Sequence, residues 1–195
     1  MFEMIITSLL TGILSSLGAS AVFVYLMYRQ RPELQLSSKI AKSTIGGNTV
    51  YAFKVINAGK RDAISVIAEL FLIQPHVVEG GIGYNIMEID LVRNKLFHMR
   101  PLKKAGDKFG AVFEFITTED LESEWNGFKN SYILFRVTAQ DSISQFTHVF
   151  TSEFQSPEIS IVNGRFGKGA KMSISPAYER KKPRENIITD ALEDV

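Results

Sequence analysis

Three histidines are the first candidates for chemistry, because neutral imidazole is a common metal ligand and a common proton carrier. His76, His98 and His148 are far apart in the sequence. A zinc site needs three or four ligands that converge on one point, and this spacing indicates no such convergence. The sequence therefore predicts no histidine metal site, and it predicts that His98 and His148 are partly buried strand residues.

Two other stretches have the composition of a binding site without its pattern. An acidic run would lie on a short helix, but calcium needs oxygens from several loops, so we expect a solvated helix face. Residues 164–171 are rich in glycine and basic side chains, yet lack the order of a phosphate-binding loop. The signatures of serine hydrolases and zinc proteases are also absent. The acidic run comprises Glu119, Asp120, Glu122 and Glu124. From the whole sequence we predict no catalytic residue, no metal site and no cofactor, and hence no enzyme.

Composition places the chain among ordinary globular proteins. It has 195 residues, of which 45% are hydrophobic and 22% charged. These values make global disorder, a collagen-like repeat and a heptad rod poor descriptions. There is no cysteine, which excludes disulfides and thiolate sites, and the formal net charge of +1 predicts no polyanionic partner such as a nucleic acid.

The first thirty residues have the composition of a membrane span. Residues 4–28 contain no charged side chain. As a helix they would extend about 37 Å, enough for a hydrocarbon core of about 30 Å. A cleaved signal peptide would want a basic start and a shorter apolar run, and a buried core helix is rarely so free of charge. We predict that residues 1–30 form an uncleaved transmembrane anchor.

Flanking charge predicts the orientation of this anchor. Glu3 precedes the span, whereas Arg29 and Arg31 follow it. Basic residues favour the cytoplasmic side of a membrane. We therefore expect a single-pass membrane protein whose C-terminal domain is cytoplasmic.

Small residues recur every four positions along the span. Such a ridge lets two helices approach closely in lipid, although small residues are also simply tolerated in single spans. The pattern predicts a homo-oligomer or pairing with another membrane protein through Ser8, Gly12, Ser16 and Ser20.

Residues 31–175 read as short β-strands separated by turns. Alternating or continuous apolar patterns predict strands over 49–57, 63–73, 84–92, 108–116, 131–139 and 145–154, with 63–73 in a central position. A helix is expected over 118–125, with Thr117 and Asp120 in a capping arrangement. A last small hairpin is expected from 158–162 and 170–175. Many short strands with intervening turns indicate an all-β antiparallel β-sandwich.

The tail, residues 176–195, is basic first and acidic afterwards. Clusters of basic residues near a cytoplasmic leaflet attract anionic lipid, but a solvated tail has the same composition. Residues 185–195 could form a short amphipathic helix or be disordered. The candidate contacts with anionic membrane lipid are Arg29, Arg31, Arg180, Lys181, Lys182 and Arg184.

Several motifs resemble the cytoplasmic domain of inward-rectifier potassium channels. Residues 51–61 read YAFKVINAGKR, residues 68–72 AELFL, residues 79–81 EGG and residues 163–166 NGRF. The resemblance extends over about 33–170 and implies an immunoglobulin-like sandwich on the cytoplasmic side with a tendency to assemble. Two features depart from those channels: this chain has one span, and residues 44–47 (TIGG) lack the aromatic residue of a selectivity filter. An ion-conducting pore of that type is therefore not implied.

These features favour a non-enzymatic interaction or regulatory module. In this hypothesis the helix tethers an immunoglobulin-like β-sandwich to the cytoplasmic membrane face, where it binds itself or a protein partner. Two alternatives stay open. One is a transport-associated protein, either an accessory subunit or an oligomeric pore lined by the polar side chains of the span. The other is a membrane-anchored ligand sensor.

The anchor is testable by extraction. We expect the full-length chain to stay in the membrane pellet during an alkaline carbonate wash, because residues 4–28 lie in hydrocarbon. A chain lacking residues 2–29 should move to the supernatant. Release of the full-length chain, or a mature protein that begins beyond Tyr28, would contradict the anchor.

Overall fold

The protein is mostly β-sheet, preceded by one long apolar helix. The computed structural model describes residues 2–29, 31–102, 110–128 and 130–176. The helices are α1 Phe2–Arg29, α2 Leu121–Asn126 and α3 Pro157–Ser160. The strands are β1 Leu34–Leu36, β2 Ile40–Ile45, β3 Asn48–Asn57, β4 Ala63–Val78, β5 Gly81–Ile89, β6 Lys95–Met99, β7 Val112–Thr117, β8 Tyr132–Asp141, β9 Thr147–Phe154, β10 Ile161–Asn163, β11 Arg165–Phe166 and β12 Ile174–Ser175.

Helix α1 is long and apolar enough to cross a membrane. None of its residues is buried, and its most apolar window has a mean hydropathy of 1.8. This exposure contradicts the alternative of a buried core helix, whose apolar face would be covered by the body. A helix near the N-terminus is also what a signal sequence would form.

Two five-stranded sheets form the body. In the first, β3 pairs antiparallel with β1, β2 and β7, and β2 also pairs with β10. In the second, β4 pairs antiparallel with β5, β6 and β8, and β8 pairs with β9. The prediction that β4 is central is confirmed, since it has neighbours on both sides. Its apolar residues on both faces are the sequence signal for that position.

The two sheets share one hydrophobic core built around aromatic rings. Phe53 of β3 stacks on Phe135 of β8 with ring centroids 4.9 Å apart, and Phe115 of β7 lies 6.0 Å from the same ring. Trp125 of α2 is buried beside them, and its indole N–H donates to the carbonyl of Ser131 at 3.0 Å. Aromatic pairs of this kind add to the stabilisation from area burial alone.

Several expected boundaries are wrong. The hairpin of 158–162 with 170–175 does not form, because Pro157 starts a helical turn and β10 then pairs parallel with β2. The small hairpin consists of β11 and β12, and the parallel pair means that the fold is not purely antiparallel. Helix α2 begins later than expected, with Asp120 as its N-cap. Strand β5 extends over Gly81–Ile89, whereas the expected strand was 84–92.

Strand β3 is buried on both faces, which the sequence did not predict. Lys54 lies on the face opposite the aromatic core, yet its side chain is only 1% exposed. Its ammonium donates to the carbonyls of Gly167 at 2.6 Å and Lys171 at 3.1 Å. The Glu114 carboxylate lies 3.6 Å away and the Phe166 ring centre 5.6 Å away. This buried cation binds the β11–β12 segment to the outer face of the first sheet.

Replacing Lys54 should loosen the segment that it binds. In Lys54→Met the carbonyls of Gly167 and Lys171 lose their charged donor, which costs roughly 1–3 kcal/mol of unfolding free energy. We expect a lower urea midpoint and faster amide exchange over residues 165–175. Lys39→Met is the matched control, because Lys39 donates to the Ile159 carbonyl at an exposed site. Equal losses in the two variants would contradict the role assigned to Lys54.

Candidate functional site

The small-residue ridge of the span forms a shallow groove on one face of α1. Ser8, Gly12 and Ser16 line it together with larger apolar neighbours, and Ser20 lies further along the same helix. The hydroxyl of Ser8 donates to the carbonyl of Met4 at 2.8 Å, and that of Thr11 donates to Thr7 at the same distance. These hydroxyls are engaged within the helix, so the groove offers close approach rather than free polar groups.

The basic residues expected at the lipid surface are only partly described. Arg29 ends α1, and the guanidinium of Arg31 lies 4.2 Å from the centre of the Tyr28 ring. Both arginines are exposed. The other four candidates lie outside the described residues: Arg180, Lys181, Lys182 and Arg184.

A buried ion pair lies where the span meets the body. Arg61 Nη1 is 3.2 Å from Asp141 Oδ1 and 3.9 Å from the sulfur of Met27 in α1. Asp141 Oδ1 also accepts the backbone N–H of Ile143 at 3.0 Å, and both the N–H and the hydroxyl of Ser144, at 2.6 and 2.9 Å. One carboxylate therefore fixes the β8–β9 loop and the turn before β4.

The environment of Asp141 favours its charged form. Burial by itself would raise the pKa of this carboxyl. The hydrogen bonds from Ser144 and Ile143, together with the Arg61 charge, outweigh burial and hold the pKa below its usual value. The environment of nearby His148 favours its neutral form instead. Burial is the main reason that the pKa of His148 is lowered, and the Arg31 charge adds to the effect.

The acidic run lies at the opposite end of the body and makes one direct ion pair. Glu122 Oε2 is 2.6 Å from Lys42 Nζ, and this hydrogen bond is the main reason that the pKa of Lys42 is raised. Burial raises the pKa of neighbouring Tyr51. Asp120 accepts the N–H of Ser123 as a helix cap. The cleft between these groups is wide and polar, unlike the mostly apolar cavities that hold small ligands.

The three histidines do not come together. His98 pairs with Asp62 at 3.3 Å and is exposed rather than partly buried, His148 is half-buried on β9, and His76 is exposed on β4. No group of three potential metal ligands occurs within residues 2–29, 31–102, 110–128 and 130–176.

An exposed apolar face on the β4–β5 hairpin was missed by the sequence analysis. Pro75 pairs with Tyr84 and Val77 with Ile82, and directly paired residues share a face of the sheet. Val77 is 91% exposed. The ion pair of Glu69 and Arg136, at 2.8 Å, bounds this face where the hairpin joins the sheet. We call it the apolar hairpin face; it comprises Pro75, Val77, Ile82, Tyr84 and Ile86.

Comparison with solved structures finds distant structural neighbours. No family model and no curated protein matches the sequence. The crystal structure of Spo0M, a sporulation control protein from Bacillus subtilis, aligns with a TM-score of 0.39 and 13% identity. The alignment covers 65% of this chain and 49% of that one, so this chain matches about half of Spo0M. The resemblance to the potassium-channel domain stays a prediction.

The ion pair of Arg61 and Asp141 is testable by its pH dependence. In Asp141→Asn the charge is lost, so we expect unfolding free energy to fall by roughly 1.5–3 kcal/mol at neutral pH. Because the folded-state pKa of Asp141 is lowered, wild type has the higher unfolding free energy above about pH 4. This difference is lost as the pH falls through the folded-state pKa. Chemical unfolding in detergent at several pH values measures it.

The control for this experiment is Asp90→Asn, because Asp90 is exposed after β5. We expect this variant to unfold as wild type does at every pH. A difference between wild type and Asp141→Asn that stays constant down to pH 2 would contradict the charged state assigned to Asp141.

Proposed function

We propose that this protein is a single-pass membrane protein that presents a non-enzymatic interaction module at the cytoplasmic face. The body is an immunoglobulin-like β-sandwich, and its binding surface is the apolar hairpin face. The single observation that carries the proposal is the exposure of that face on a well-packed body. Contiguous apolar patches on otherwise polar surfaces mark sites of association.

The uncovered helix supports the membrane part of the proposal. Helix α1 leaves its apolar side chains exposed along its whole length, which is stable only in lipid or against other helices. Arg29 and Arg31 follow it, which favours a cytoplasmic body. Tethering concentrates the body at the membrane, so an interface of modest area can suffice for association.

The fold supports the sandwich assignment. Each sheet contributes to the same aromatic core, with Phe53 and Phe135 in direct contact across it. The NGRF motif, which is similar to a stretch of the channel domain, has a structural role here, because Gly164 and Phe166 shape the segment that Lys54 binds. A Cβ atom on Gly164, whose φ is +142°, would collide with the carbonyl of Ser175.

A transport-associated protein is the second candidate. The groove at Ser8, Gly12 and Ser16 suits close packing against another membrane helix, which favours an accessory subunit. The hydroxyls of Ser8 and Thr11 donate within α1, which weakens the case for a polar pore. Planar-bilayer recordings of the purified protein separate the two versions, since a flat trace removes the pore.

Cross-linking from single cysteines tests the apolar hairpin face. The natural chain has no cysteine, so the variants Val77→Cys and Tyr84→Cys can each be labelled at one position. Each variant is labelled with a photoreactive maleimide and illuminated in native membranes. We expect adducts at both positions, and mass spectrometry then identifies a second copy or another protein. Val92→Cys is the control, because Val92 is 65% exposed and lies outside the face.

The comparison between positions decides the outcome. Adducts at 77 and 84 but not at 92 are expected if the face binds a partner. Labelling that is absent at all three positions, or equal at all three, would contradict the proposal.

A further inference from the structure

The path of the chain fixes which end of the body lies next to the span. After α1 ends at Arg29, β1 pairs with the last residues of β3, so that Leu34 lies opposite Asn57. The N–H of Ala58 donates to the carbonyl of Glu33 at 2.8 Å. The turn 58–62 is therefore adjacent to the end of α1, and the β4–β5 turn lies at the other end of β4.

The β8–β9 loop is bound to this same end. Ala63, the first residue of β4, pairs with Asp141, the last residue of β8. Asp141 accepts hydrogen bonds from Ile143 and Ser144, so the loop has a defined shape. Through Arg61 the same carboxylate is connected to Met27 in the last turns of α1.

Large apolar side chains are exposed at this end. Ile143 is 67% exposed and Phe146 65% exposed in the β8–β9 loop. Phe97 on β6 is 96% exposed, and β6 reaches the same end because Met99 pairs with Ala63. Single exposed apolar residues are common on proteins, but here they cluster beside a helix that is itself mostly apolar and uncovered.

Basic residues accompany these apolar ones. Arg29, Arg31 and Lys60 are exposed around the junction of α1 with the body, as is the acidic Glu33, whereas Asp62 and Asp141 are engaged with His98 and Arg61. Exposed apolar side chains next to basic side chains are typical of a protein surface that binds the boundary between lipid headgroups and acyl chains.

We propose that the β8–β9 loop contacts the bilayer, with Ile143 and Phe146 inserted at the headgroup boundary beside the end of α1. This second contact fixes the tilt of the body against the membrane and directs the apolar hairpin face away from it. The inference rests on the proposed function, because it requires α1 to lie in the bilayer.

Depth-dependent fluorescence quenching tests this contact in the full-length protein. Single-cysteine variants are labelled with an environment-sensitive fluorophore and reconstituted into vesicles of phosphatidylcholine and phosphatidylglycerol containing nitroxide lipids. Ile143→Cys and Phe146→Cys report on the loop, so that one remains if the other misfolds. Leu17→Cys reports on the span, and Val77→Cys is the exposed control at the far end.

We expect quenching at 143 and 146 that is stronger with shallow than with deep nitroxides. The label at 17 should be quenched best by deep nitroxides, and the label at 77 should not be quenched. Quenching at 17 without quenching at 143 or 146 overturns the inference and leaves the anchor intact. A blue-shifted but unquenched label at 143 means that protein covers the loop, which also overturns it. Absence of quenching at 17 contradicts the proposed function itself.

Discussion

The ion pair between Arg61 and Asp141 connects the turn before β4 with the end of β8, next to the last turns of α1. Arg61 lies in the turn that leads from the first sheet to the second, and Asp141 ends a strand of the second sheet. The same guanidinium is 3.9 Å from the sulfur of Met27 in the helix. Asn57 adds a second link, since its amide donates to the carbonyls of Arg61 and Met99. A buried pair of this kind offsets its desolvation only when its hydrogen bonds are well formed. Asp141 Oδ1 has four donors, whereas Oδ2 is buried and accepts no hydrogen bond from the described residues.

This junction gives the two ends of the body different environments. At the end next to the helix, exposed apolar residues stand among arginines and lysines. At the other end, the β4–β5 hairpin extends its apolar face away from the junction. Strand β4 runs the whole length between them, from Ala63, which pairs with Asp141, to Val78 beside the tight turn at Gly80. A single long strand therefore separates the surface assigned to lipid from the surface assigned to protein partners.

The sequence predicted the elements whose side chains alternate in a simple way. Strands β3, β4, β8 and β9 were found because an apolar residue recurs on the core face of each. Strands β1, β2 and β6 were missed because each is short, and Lys42 in β2 and Lys95 in β6 interrupt the apolar pattern. The apolar hairpin face was missed for another reason, since the predicted strand ended at residue 73 whereas β4 continues to Val78. No local signal places Ile143 and Phe146 beside the span, because that placement depends on pairing between distant residues.

The residues that first suggested chemistry turn out to have structural partners. The lysine of β3 lies under the glycine-rich basic segment and donates hydrogen bonds to two of its carbonyls. In the acidic run, Asp120 caps α2 and Glu122 pairs with Lys42, so two of its carboxylates already have contacts within the chain. The apolar surfaces that are exposed among the described residues include the helix, the hairpin face and the β8–β9 loop. Since burial stabilises apolar surface, these three surfaces are the ones that the proposal assigns to lipid and to protein partners.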